Sequence, residues 1–337
     1  MAITSLQLLL HYIFRACIVL SLGLGQTNGQ PETYRTIIVD QSGHGNFKTI
    51  QSAIDSIPSD NNKWICIYIK AGEYRERVTI PRDKPFVYLK GEGKRKTIIV
   101  WDAHGSITTS ATFTSEADNI VAKGIGFKNS YNNPPTNKNP VKVAVAAMIV
   151  GDKSAFYGCG FFGFQDTLWD VGGRHYFNSC TIEGAIDFIF GAGKSIYERC
   201  SISVIAGALN GGGPGFITAQ ARSSKEETNG FIFKDCNVFG NGKTYLGRAW
   251  RAHARVIYYN THMSNIVVPS GWDAWHSVGK ENQLFYAEYG CKGLGSNNSS
   301  RVEWEEKLDQ KTLSLFTSME FIDNEGWMSA QAFNMLA

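Results

Sequence analysis

Four short segments of this chain repeat one pattern: "FYGCGF" (156–161), "FNSCTI" (177–182), "YERCSI" (197–202) and "FKDCNV" (233–238). Each sets an aromatic residue three positions before a cysteine and an apolar residue two after it. "YYNTHM" (258–263) follows with Thr261 in the cysteine slot, and "AKGIGF" (122–127) follows loosely with Ile125 there. The slots fall at 125, 159, 180, 200, 236 and 261; two successive gaps are 21 and 20 residues, and the larger ones leave room for inserted loops. A unit of this length, made of short strands and turns, cannot bury its apolar side alone and must stack on copies of itself. The pattern therefore predicts an all-β chain wound as a parallel β-helix, a solenoid whose repeated cysteines form an interior ladder.

The composition agrees. The 35 glycines, with aromatic and β-branched residues in short runs, suit many strands joined by tight turns. A length of 337 residues is long for an ordinary domain but not for an elongated all-β unit. The formal charge of +3 is mild, and no Lys/Arg block marks a nucleic-acid partner.

The ends read differently from the middle. Residues 1–29 form a mostly apolar run, interrupted by His11 and Arg15, that ends in small residues; this predicts a secretory signal peptide rather than a membrane anchor. Residues 30–337 are then one domain, with no membrane association after cleavage. Sequons at Asn297 and Asn298 fit export and glycosylation. "FKTIQSAIDSIP" places Phe47, Ile50, Ile54 and Ile57 on one helical face before Pro58, as a cap on the first coil. The segment from Arg301 onward has mixed helical character and is expected to pack along the outside. Once Cys17 has left with the signal, Cys66, Cys159, Cys180, Cys200, Cys236 and Cys291 remain. Cysteine packs well as a small buried hydrophobe, while neighbouring coils and an oxidising export route also permit disulfides; the spacing leaves both open.

The ladder has a chemical consequence. Asp166, in "GFQDTLWD", lies seven residues after Cys159, and Asp187, in "GAIDFIFG", lies seven after Cys180. If the cysteines stack, so do the aspartates, on strands about 4.8 Å apart. Two carboxylates that close cannot both ionise easily, and one pKa must rise. One then serves as base or nucleophile and the other as a protonated acid. Aspartate also ends many strands at turns, but the shared offset and the apolar neighbours of Asp187 favour chemistry. Arg248, in "YLGRAW", is a cation in apolar company that suits a bidentate pair with a carboxylate. Gln165 offers an amide donor beside Asp166 for a developing oxyanion. Trp169, Phe190, Trp250 and Trp272 fall in or near these motifs and suit stacking on sugar faces. No "GxSxG" elbow is present, the seven histidines lack metal-ligand spacing, and "GGGPG" lacks the Lys-Ser/Thr of a phosphate cradle.

The segments "GEYRE" (72–76), "DKSAFYGCGFFGFQDTLWD" (152–170), "DFIFG" (187–191), "YLGRAW" (245–250) and "FYAEYG" (285–290) make the chain resemble plant pectin methylesterases over nearly its whole mature length. The resemblance implies a right-handed parallel β-helix with helical caps and loops that form a substrate groove. It implies metal-free, cofactor-free hydrolysis of C6 methyl esters of homogalacturonan in the cell wall by a secreted enzyme. Asp187 would be the nucleophile, Asp166 the acid and then base, Arg248 the partner of Asp187, and Gln165 an oxyanion donor. The four aromatic residues would line the groove. A small helical inhibitor protein is a partner implied by the same resemblance, and the chain is expected to act as a monomer. "VDQSGHGNFKTI" begins at Val39, so a form without the N-terminal inhibitor-like region is expected.

One departure stands out. Where the family usually opens a segment "QAVAL" with an oxyanion glutamine, ungapped counting from Asp152 places Val143, and "LGRAW" replaces "LGRPW". Loss of one such donor costs about 10²–10³ in turnover. The alternative to an active esterase is thus an impaired, pectin-binding wall protein. A pectate lyase or polygalacturonase would need acidic clusters that this chain does not match.

Overall fold

In the computed structural model, residues 35–135 and 139–331 are described. The segment 1–29 expected to be a signal lies outside them.

Among the described residues every strand pairing is parallel. The strands form one sheet of ten and two of eight, and within each sheet neighbours in space are successive turns of the chain. The chain is a right-handed parallel β-helix: eight coils each give one strand to each sheet among the described residues, and Arg35–Val39 and Phe285–Tyr289 add a strand at either end of the ten-stranded sheet.

The repeat is what builds the interior. Its aromatic slots pair in register as Phe156, Phe177, Tyr197, Phe233 and Tyr258. Their rings stack at centroid spacings of 5.0, 4.6, 4.7 and 4.5 Å. The apolar slots pair likewise as Phe161, Ile182, Ile202, Val238 and Met263. Between the two, the residue before each slot turns the chain with a left-handed backbone: Gly158, Ser179, Arg199, Asp235 and Asn260 have φ between 51° and 59°. This corner recurs at the same place in these five coils, which is why the period is legible.

Cys159, Cys180, Cys200 and Cys236 are buried at this corner and stay free thiols, as do Cys66 and Cys291. The Cys180, Cys200 and Cys236 thiols donate to the carbonyls of Phe156, Phe177 and Tyr197, at 3.3, 3.3 and 3.2 Å. Of the two options that the spacing left open, packing is the one observed.

The helix Ile50–Asp55 closes the first coil. Thr49 caps it by accepting from Ser52 N, and Ile50, Ala53 and Ile54 are buried. At the other end of the chain the helix Gln310–Thr317 and the turn Met319–Phe321 lie on the outer face of the ten-stranded sheet. There Leu313, Phe321, Ile322 and Trp327 cover Tyr176, Ile196, Ile232 and Ile257.

Candidate active site

Leu168–Asp170 and Ile189–Gly191 are neighbouring three-residue strands, with Leu168 opposite Ile189 and Trp169 opposite Phe190. Two residues before each strand stands an aspartate, so the pairing that aligns the strands also aligns Asp166 with Asp187. Asp166 N donates to Ile186 O at 3.0 Å, which joins the two corners directly. Both aspartates have positive φ, 59° and 48°. Aspartate tolerates this region better than most residues, and such conformations cluster at working sites.

A cavity of about 240 Å³ opens at this point, lined by Gln165, Asp166, Asp187, Phe190, Arg248 and Trp250, together with Ile107, Ala219 and Trp275. The residues Asp166 and Asp187 are 9% and 7% exposed, so their charges are poorly solvated. Arg248 grips Asp187 with two parallel bonds, Nε to Oδ1 at 2.8 Å and Nη2 to Oδ2 at 2.5 Å. Its guanidinium lies between the rings of Phe216 and Trp275, 4.0 and 3.9 Å from their centroids. Asp166 forms no ion pair among the described residues.

This asymmetry separates the two acids. Burial, then the charge of Asp187, pushes Asp166 up to about 8, against a weaker pull from Arg248. Burial raises Asp187 too, and its hydrogen bonds and charge pairing with Arg248 oppose that rise without cancelling it. The shared proton therefore resides on Asp166, and Asp187 is the carboxylate.

Gln165 is half-buried at the cavity, and its side-chain amide bonds to none of the described residues. It is free to donate inward. Val143 packs, partly buried, into an apolar cluster with Phe190, Ala219, Trp169, Trp250 and Trp275. The wall where a second donor would stand is hydrocarbon. Among the described residues no group of three or more His, Cys, Asp or Glu is disposed to hold a metal ion.

Trp169 stacks on Phe190 at 5.5 Å and 16° beside the cavity, and Phe190 meets Trp250 at 5.9 Å. Trp272 is the exception to the expected aromatic surface. It is 1% exposed and stacks on Tyr286 at 4.6 Å inside the coil, so it cannot touch a polysaccharide in the groove. Register explains why: Trp272 pairs with Gly247 and Asp273 with Arg248. Side chains alternate along a strand; since Arg248 points outward, its neighbour's partner Trp272 must point in. Trp275 lines the cavity instead, with φ 45° and its N–H held by Asp273 Oδ1 at 2.6 Å. Ile107 and Ala219 carried no signal in the sequence.

The sequence model of the pectinesterase family matches residues 36–325. Two Arabidopsis thaliana relatives, probable pectinesterase 29 and probable pectinesterase 55, are 55% and 54% identical over 87% of this chain, and the match covers 88% and 89% of their own length. The solved pectin methylesterase from carrot superposes with a TM-score of 0.80 at 29% identity, over 87% of this chain and 95% of that one. That from Aspergillus niger gives 0.74 at 30%, over 89% and 96%. The chain belongs to the pectinesterase family and is a carboxylic ester hydrolase.

Proposed function

We propose that this pectinesterase hydrolyses C6 methyl esters of homogalacturonan through Asp187 as nucleophile and Asp166 as acid and base. The observation that carries the reading is the pair itself: two in-register aspartates at one cavity, one held by Arg248 and the other without a cation.

The chemistry follows from their protonation. Asp187, ionised, attacks the ester carbonyl, and charge builds on the carbonyl oxygen. The free Gln165 amide is the donor available for that oxyanion. Asp166, pushed to about 8, still holds its proton at neutral pH and passes it to the departing methoxide, which leaves as methanol. The acyl group now bonds to Asp187 as an anhydride. Asp166, ionised by that transfer, takes a proton from water; the hydroxide attacks the sugar carbonyl, and the Asp187 carboxylate departs. The product is galacturonic acid, which loses its proton to solvent, and both aspartates return to their starting states. Trp169, Phe190, Trp250 and Trp275 supply rings that suit sugar faces, with Trp275 in the place first expected of Trp272.

Secretion to the wall, through cleavage of residues 1–29, belongs to the same proposal. Support comes from Asn297 and Asn298, both exposed in a surface loop as glycan acceptors require. Action as a monomer and capture by a small helical inhibitor are further parts of it.

Val143 favours a second reading, a pectin binder with a disabled oxyanion site. Methanol release from highly methylated pectin separates the two, measured with the mature protein, Asp187→Asn and Val143→Gln. The esterase reading expects release by the wild type and none by folded Asp187→Asn. Silence from the wild type with release by Val143→Gln would show an intact site that lacks one donor. If all three are silent while pectin still binds, the binder reading replaces the esterase.

A further inference from the structure

The strand that follows Asp166 ends in a polar cluster that the reaction above does not use. Asp170, His175 and Tyr197 meet inside the coil, and the carboxylate and imidazole side chains are both 0% exposed. Such a group is costly in an apolar interior unless every polar atom finds a partner, and here each does. His175 Nε2 lies 2.8 Å from Gly151 O, and Nδ1 lies 2.6 Å from Asp170 Oδ1. Tyr197 donates its hydroxyl to Asp170 Oδ2 at 2.7 Å. A carbonyl can only accept, so Nε2 carries a proton. The 2.6 Å contact of Nδ1 with Asp170 Oδ1 needs a second proton between the two atoms. Burial pushes His175 down, but the charge of Asp170 and the hydrogen bonds to Asp170 and Gly151 raise it further, so the net direction is up. Asp152 adds a weaker pull from the neighbouring coil, where its own carboxylate is bound by Arg174.

Asp170 also touches the coil of the other aspartate. Gly193 N donates to Asp170 O at 3.0 Å. A Cβ on Gly193 would lie 1.9 Å from Asp170 Oδ1, and one on Gly191 would lie 2.0 Å from Asp170 O. Only glycine lets the chain after Asp187 close on this carboxylate. The two short strands are thus held together at both ends, by the Asp166–Ile186 bond at one and by Asp170 against Gly191 and Gly193 at the other.

We propose that His175 is a positioning residue for the aspartate pair: through Asp170 it sets the spacing of the strands that lead from Asp166 and Asp187. The inference rests on the roles proposed above for those two aspartates. An apolar filler would serve packing alone as well as an ion pair does, which makes the two explanations separable.

The experiment compares wild type, His175→Gln, the apolar double variant Asp170→Leu with His175→Leu, and Asp187→Asn on highly methylated pectin, with Tm recorded for each. Positioning predicts that folded His175→Gln loses about tenfold in kcat while KM stays within about twofold, because small misplacements of reacting groups are expensive. Its alkaline pH limb should also move, as the spacing that raises Asp166 changes. The double variant should stay folded without recovering kcat. Unchanged kcat in folded His175→Gln, or full kcat in the double variant, overturns the proposal. Should neither variant fold, ¹⁵N NMR of the wild type decides: both ring nitrogens of His175 protonated at pH 7 supports it, and a neutral ring contradicts it. Activity remaining in Asp187→Asn would overturn the underlying mechanism, whereas a silent Asp187→Asn beside a fully active His175→Gln would overturn this inference alone.

Discussion

Among the arginine–carboxylate pairs of the described residues, Arg301–Glu288 and Arg248–Asp187 are finished differently. Arg301 and Glu288 have side chains 2% and 7% exposed. Arg301 binds both Glu288 oxygens and also donates to the carbonyls of Val268, Pro269 and Gly295. Its donors are consumed by the fold. Arg248 binds both oxygens of Asp187 as well, but its side chain is 18% exposed and is clamped between aromatic faces rather than among carbonyls. Beside it stands Asp166, a second carboxyl group with no cation of its own. A pair completed on all sides stabilises structure. A pair left open on a cavity, next to an acid it only half compensates, holds a charge ready for use.

That difference predicts opposite consequences for similar mutations. The largest belongs to Arg248→Lys, which keeps the charge but loses the planar fork. Methanol release should fall by about 10² or more, with the fold retained by circular dichroism. Undiminished release would break the comparison at its functional side. Arg301→Met should do the reverse. Removing one partner of a completed buried pair costs about 3–5 kcal/mol, visible in denaturant unfolding, while kcat per folded molecule stays at the wild-type value.

A smaller effect is expected from Trp275→Ala. Loss of one stacked face from Arg248 should lower kcat/KM by about tenfold, equivalent to roughly 1.4 kcal/mol. Trp272→Phe, a change in the interior, should alter Tm and leave the KM for pectin unchanged.

Asp166→Asn sharpens the electrostatic side. A carboxyl whose folded pKa is raised to about 8 is ionised earlier in the unfolded chain, so it lowers stability progressively as pH climbs from the ordinary carboxylate range towards 8. The variant is freed from that loss. It should match the wild type near pH 4 and exceed its Tm by at least about 2 °C at pH 8, and equal Tm values across that range would contradict the raised pKa.

Much of this was legible because a solenoid repeats its turns. The aromatic, cysteine and apolar slots predicted the stack from Phe156 to Tyr258, and the seven-residue offset brought Asp166 and Asp187 together before any coordinates. Three features escaped. The end strand of the sheet that carries the site is only the two residues Trp272–Asp273, too short to show an alternation by itself, so the inward tryptophan was read as outward. The surroundings of Val143 were also hidden, since its apolar neighbours come from several separate stretches of chain. The His175 cluster was invisible for a related reason. His175 pairs with Asp170 five residues away, but the partner that gives the imidazole its second acceptor, Gly151, is a backbone carbonyl one coil back.

The central claim is that the pair divides into an ionised Asp187 and a protonated Asp166. The most direct test is the pH dependence of kcat/KM for methanol release, from pH 5 to 10, in wild type and Asp166→Asn. The division predicts a wild-type rate that falls as pH rises through about 8, and a far slower Asp166→Asn whose residual rate lacks that limb. A limb that persists in Asp166→Asn, or a wild-type rate that climbs through pH 8, would contradict it.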